Sequence, residues 1–117
     1  MGKALKEIPR NKYYLSTKVG RYGENGVNIW NYSGKCATES VYKSMERLNV
    51  DYIDLINVHD IEFADLHQVI HETLPALVEL RNKGIVKHVG ITDLQLENLK
   101  WVVEHSASGT AERILNF

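Results

Sequence analysis

The chain predicts an α/β fold with parallel strands. Three observations carry this. Strand-like runs alternate with helical stretches in the order β-α-β-α-β-α-β. The helical stretches place their apolar residues along one side at helical spacing. Strands separated by a crossover helix pair in parallel, with right-handed connections. Two architectures fit, a doubly wound sheet and a piece of a (β/α)8 barrel. Nothing marks the first: no strand leads into G-x-G-x-x-G, and there is no G-x-x-x-x-G-K-[ST] phosphate loop.

The first strand is read at 13–18 in "YYLSTKVGRYG". A Gly- and Asn-rich connection follows, "GRYGENGVNIWNYSG"; Gly20, Gly23 and Gly26 have neither nucleotide-loop spacing, and it is read as a flexible loop. Ser33 then serves as N-cap for a helix from about Gly34 to Asn49. Ala37, Val41, Met45 and Leu48 form its apolar stripe. "YIDLINVHD", 52–60, is the second strand. A second helical stretch begins after Asp65 and ends at Gly84, with Arg81 and Lys83 in its last turn, where cations suit the free carbonyls. Pro75 inside it predicts a kink, or a restart with Thr73 as a new N-cap. "IVKHVGI", 85–91, is the third strand. Asp93 can cap a third helix, roughly 95–105, with Leu96, Leu99, Val102 and Val103 on one side. "ERILNF", 112–117, reads as a fourth strand.

Composition bounds the function. The 117 residues are 44% hydrophobic and 25% charged, enough for one small domain with one core. The formal net charge is −1 and no basic run occurs, so no nucleic-acid partner is expected. The single Cys36 forms no internal disulfide, which fits a reducing compartment. No apolar run approaches the ~18 residues of a membrane span. "MGKALKEIPR" has no apolar signal core, and Lys6 stands where myristoylation wants Ser or Thr. The expected location is the cytoplasm, with no membrane and no obligate protein partner.

In parallel α/β proteins chemistry gathers at the C-terminal ends of strands. Here those ends carry Lys18, His59, Thr92-Asp93 and Asn116. By alternation, Lys18 shares a face with Ser16 and Tyr14, His59 with Asn57, Leu55 and Ile53, Thr92 with Gly90, and Asn116 with Ile114. Polar strand ends are common beside solvent; four in succession suggest a site. A lysine there can form a Schiff base with a carbonyl substrate. It can instead lower the pKa of a nearby tyrosine. The histidine can polarise a carbonyl oxygen. The pattern does not choose between these chemistries.

"YYLSTKVGRYG", "SVYKSMERLNVDYIDLINVHDIEF" and "TLPALVELRNKGIVKHVGIT" together resemble the aldo-keto reductases, over essentially the whole chain. The run "ERLNVDYIDLINVHD" is the most specific, because the family sets Leu-x-x-Asp-Tyr-x-Asp-Leu ahead of its active-site histidine. Within the family the resemblance is closest to the L-galactose and other aldose dehydrogenases. It implies a (β/α)8 TIM barrel, of which residues 1–117 would be a partial oxidoreductase domain, about strands three to six. It implies hydride transfer between NADP or NAD and an aldehyde, ketone or sugar hydroxyl. Lys18 matches the lysine that makes the catalytic phenol more acidic, and His59 the histidine that orients the substrate oxygen. Thr92 and Asp93 fall where the family has Ser-Asn holding the nicotinamide carboxamide; Asn116 falls where a Gln does the same. An ionised Asp93 accepts but does not donate. The catalytic tyrosine and its aspartate belong, in the family, to segments before Met1, so the chain alone is expected to be inactive. The alternatives are a non-catalytic cofactor-binding regulatory member and, from pattern alone, a Schiff-base lyase.

Other candidates rank lower. His67 and His71 have i, i+4 spacing, but the Glu of H-E-x-x-H and an obvious third ligand are missing. Cys36 sits in the first turn of a helix as a bystander. Asp54 is expected to face away from His59 and to bind helix-end amides. Tyr22, in the loop beyond Lys18, is the nearest substitute phenol.

Overall fold

The computed structural model of the chain describes residues 2–23, 29–106, 110 and, for their backbone, 113–116. A short helix α1 (Gly2–Leu5) leads through a turn at Arg10–Lys12 into β1 (Ser16–Val19). Next come β2 (Arg21–Tyr22), β3 (Ile29–Trp30), α2 (Gly34–Leu48) and β4 (Ile53–Val58). A turn at Ile61–Phe63 precedes α3 (Leu66–Gln68), a wide turn at Val69–Thr73 and α4 (Leu74–Asn82). The rest is β5 (Val86–Asp93), α5 (Leu96–His105) and β6 (Arg113–Asn116).

The main sheet has the order β1-β4-β5-β6, and every pairing in it is parallel. The register aligns Lys18, Asn57, Gly90 and Arg113 in one row and Val19, Val58, Ile91 and Ile114 in the next. In the second row Val19, Val58 and Ile91 belong to the helix side. There Val19, Ile56, Val58, Val89 and Ile91 are buried with Ala37, Val41, Leu77, Leu80, Leu99 and Val102. On the opposite face Ser16, Lys18 and His88 are exposed and Leu55 is half-buried. Side chains alternate along a strand, so the row that holds Lys18 lies on the concave side.

The α2 boundaries follow their caps. Ser33 Oγ accepts from the Cys36 amide at 3.2 Å, and Asn49 closes the helix in a left-handed conformation. At the bottom of the sheet Asp54 does not meet helix-end amides as expected. Its Oδ2 accepts from the Leu15 amide at 2.8 Å and from Arg10 Nη2 at 2.7 Å. Arg10 also donates to the carbonyls of Tyr13 and Tyr52.

The structure departs from the sequence reading in four further places. The connection after β1 is not wholly irregular, because β2 and β3 pair as an antiparallel hairpin; Gly26 lies outside the described residues. At Pro75 the α-helix restarts as expected, at Leu74 with Thr73 in the N-cap position, but Thr73 makes no side-chain cap bond. Proline has no N–H for the carbonyl four residues back, and its ring crowds that group. The turn before it widens, and the Leu74 N–H reaches five residues back to the Val69 carbonyl. Thr73 is helical, and its hydroxyl donates to the Tyr32 carbonyl. Asp93 is the last residue of β5 and not the cap of α5, a position held by Gln95. Leu96 and Val103 on α5 are exposed, so only Leu99 and Val102 of the expected stripe are buried.

Candidate functional site

Lys18 and His59 end neighbouring strands. Lys18 pairs in register with Asn57, two residues before His59, and the His59 amide donates to the Val19 carbonyl at 2.8 Å. Both residues border one cleft of about 960 Å3 that lies between β1, the β2–β3 hairpin and α2, with Thr17, Tyr22, Glu39, Lys43 and Arg47 among its walls. Between them Asn57 is fully buried; its Nδ2 donates to Ser16 Oγ at 3.3 Å, and its Oδ1 has no hydrogen-bond partner among the described residues.

His59 Nε2 lies 3.2 Å from Asp60 Oδ2. Burial holds the imidazole below its usual pKa; Asp60 pulls it upward, while Lys18 and Arg21 add to the lowering. The ring is therefore neutral near pH 7 and has one N–H.

The segment after His59 is tightly specified. Asp60 adopts φ 41° and ψ 67°, in the left-handed region. Its amide donates to Thr92 Oγ1 at 2.9 Å. The Tyr32 hydroxyl lies 2.7 Å from the His59 carbonyl oxygen and 2.9 Å from that of Asp60. Burial, with the Asp60 carboxylate next, pushes the Tyr32 phenol well above its usual value, so it stays a donor. Behind it is Gly20, at φ +107°, where a Cβ would stand 2.6 Å from the Tyr32 ring. Only glycine fits that approach. An aromatic wall completes the rim: Trp30 stacks on Phe63 with centroids 4.3 Å apart and stands tilted to His59 at 6.2 Å.

The remaining candidates sit as follows. Thr92 and Asp93 are fully buried. Besides accepting from Asp60, Thr92 Oγ1 lies 3.4 Å from Asp60 Oδ1. Asp93 accepts from the Gln95 amide and from Asn98 Nδ2, each at 2.9 Å. Asn116 pairs in register with Asp93, and Leu115 with Thr92; the Asn116 side chain lies outside the described residues. Tyr22 accepts from the Gly20 amide at 2.9 Å, and burial raises its phenol pKa, the wrong direction for a lysine-activated acid. The His67 and His71 rings stack 6.4 Å apart, and no group of three or more metal-ligating side chains occurs among the described residues. Nor is any described helix long and apolar enough to cross a membrane. Cys36 is a free, half-buried thiol.

Three residues went unsingled in the sequence. Trp30 and Tyr32 lie inside the stretch read as a flexible loop, with no period to mark them. Asp60 stood in plain view, as the residue directly following the strand-end histidine.

A family model, the Aldo/keto reductase family, matches residues 1–112. The chain is 39% identical over 119 residues to L-galactose dehydrogenase from Arabidopsis thaliana, covering 100% of this chain and 36% of that protein. It is 34% identical over 116 residues to D-arabinose 1-dehydrogenase from Saccharomyces cerevisiae, covering 95% of this chain and 33% of the other. Among solved structures, the holo form of an aldo-keto reductase from Bacillus halodurans superposes with a TM-score of 0.77 at 34% identity, over 90% of this chain and 35% of its own. The chain thus spans about a third of the length of the relatives it matches.

Proposed function

The chain belongs to the aldo/keto reductase family, its four parallel strands being part of a (β/α)8 barrel, and from this we propose that Lys18 and His59 form one wall of an oxidoreductase site acting on an aldose such as L-galactose. The observation that carries this is their placement at adjoining strand ends, bordering one cleft, with burial holding the His59 imidazole below its usual pKa.

His59 donates Nε2–H to the reacting oxygen and so favours the charge that develops there. The Lys18 ammonium lowers the pKa of a phenol brought against it, which allows that phenol to pass a proton to or from the same oxygen. The family resemblance places this phenol in a segment outside these 117 residues, which are then a partial oxidoreductase domain. The bound cofactor, NADP or NAD, supplies or takes the hydride. Thr92, Asp93 and Asn116 are assigned to its nicotinamide edge. For all three the support is the resemblance; within the fold the buried oxygens of Thr92 and Asp93 already accept from Asp60, Gln95 and Asn98.

The test is cofactor-dependent oxidation of L-galactose, or reduction of an aldehyde, by the intact protein, followed by nicotinamide absorbance. Lys18→Met or His59→Ala should lower kcat/KM about 100-fold or more. Turnover indifferent to Lys18→Met would refute the assignment. Cofactor binding without turnover would favour the regulatory reading. The 117 residues made alone should be inactive, because Tyr22, the phenol that shares the cleft with Lys18, is shifted against acid chemistry.

A further inference from the structure

Asp60 stands beside the ring nitrogen that the proposed chemistry needs. Its left-handed backbone is uncommon for a residue with a side chain, and such conformations persist where the surroundings over-determine them. Here Thr92 takes its amide proton, and the Tyr32 hydroxyl reaches both its carbonyl and that of His59. The outcome is a carboxylate set 3.2 Å from His59 Nε2 and 3.4 Å from Thr92 Oγ1, with its side chain 21% exposed. An ionised carboxylate has about four acceptor positions. The two donors beside it leave room for another.

We propose that Asp60 is a specificity-determining residue, which accepts a hydrogen bond from the substrate hydroxyl on the carbon next to the reacting one. The inference rests on the reading of His59 given above. In the free site the Asp60 carboxylate stands 3.2 Å from His59 Nε2, an acceptor beside the group that is to donate to the substrate. An aldose presents the complementary pair, an oxygen that accepts and, on the adjacent carbon, a hydroxyl that donates. On binding, the His59 N–H donates to the reacting oxygen and the substrate O–H donates to Asp60. A substrate lacking that hydroxyl takes the N–H and leaves the carboxylate short of a donor, the circumstance in which binding sites discriminate most strongly. The charges nearby favour a neutral sugar over a sugar acid on this side: the Asp93 and Asp60 carboxylates both act on Glu62, adding to the effect of burial in raising it.

The test compares L-galactose with 2-deoxy-L-galactose in the intact protein with NAD or NADP. The wild type should prefer the hydroxylated sugar about tenfold to 100-fold in kcat/KM, the range expected of a hydrogen bond to a charged group. Asp60→Gly suits the left-handed backbone and removes the carboxylate; the preference should collapse toward one. Asp60→Asn keeps an acceptor oxygen and should be intermediate. A second readout needs no turnover. The His59 Nε2 nitrogen-15 shift, followed as each sugar is added, should saturate at about tenfold lower concentration with L-galactose in the wild type, and equally for both sugars in Asp60→Gly. If turnover is absent, the functional reading fails and the titration still decides the role of Asp60. Equal saturation in the wild type, no shift with either sugar, or a preference that survives Asp60→Gly overturns the proposal.

Discussion

The phenol oxygen of Tyr32 lies 2.7 Å from the carbonyl oxygen of His59. The residue just past β3 thereby fixes the residue just past β4, across 27 positions of chain. Tyr32→Phe keeps the ring against Gly20 and removes the hydroxyl. It should lower stability by about 1–3 kcal/mol in denaturant melts, since two carbonyls lose a shared donor. The His59 ring resonances should shift as well, which a loss confined to packing would not produce.

Two glycines provide a matched comparison. Gly84 has φ +79°, and a Cβ added there would meet nothing within 4 Å, so alanine at this position faces backbone strain alone. Gly84→Ala should cost about 1 kcal/mol. Gly20→Ala adds a collision with the Tyr32 ring and should cost about 2–5 kcal/mol. Equal melting shifts for the two variants would contradict the close approach.

The His59 ring should titrate below its ordinary value of ~6.5. Burial is the main cause, and of its charged neighbours Lys18 and Arg21 lower it further while Asp60 raises it. Lys18→Met should therefore move the titration up, and Asp60→Asn should move it down. A folded-state pKa below the unfolded one means a contribution to stability that is present above ~6.5 and lost as pH falls through the folded value. Proton NMR of the imidazole across this range checks both signs.

Asp54 gives the acid counterpart. Burial alone would raise its pKa, but the Leu15 amide and the Arg10 guanidinium outweigh that and leave it below the ordinary value. Its contribution is complete above ~4 and should disappear as pH falls further, through the folded value. Asp54→Asn should flatten this acid limb in pH-dependent melts. Asp54→Ala, which also strands Arg10, should cost about 2–4 kcal/mol at neutral pH.

The strand ends at Lys18 and His59 were legible because alternation and helix caps are local properties, expressed within a few residues. Asp60 and Tyr32 were not. The sign of a φ angle leaves no mark on an aspartate, and the Tyr32 bond joins residues far apart in sequence. The β2–β3 hairpin pairs two residues with two, too few to display a period. Pro75 announced a disturbance of its helix without saying which of the available accommodations the chain would adopt. Thr92 and Asp93 were correctly placed at a strand end, but only the assembled loops reveal that their polar atoms are committed to Asp60, Gln95 and Asn98.

The widened turn at Val69–Thr73 also bears on changes in chain length. Val69, Leu74, Leu77 and Leu80 are all buried, at spacings of five, three and three. A regular α-helix brings residues three and four apart onto one face, not residues five apart. The wide turn takes up the one extra residue, and so Val69 and Leu74 share the core. Deleting one residue between them would leave spacings of four, three and three, the stripe of an ordinary α-helix. Adding one would turn everything beyond it by about 100° and drive the leucines from the core. This short segment should therefore accept the loss of a residue far more readily than the gain of one.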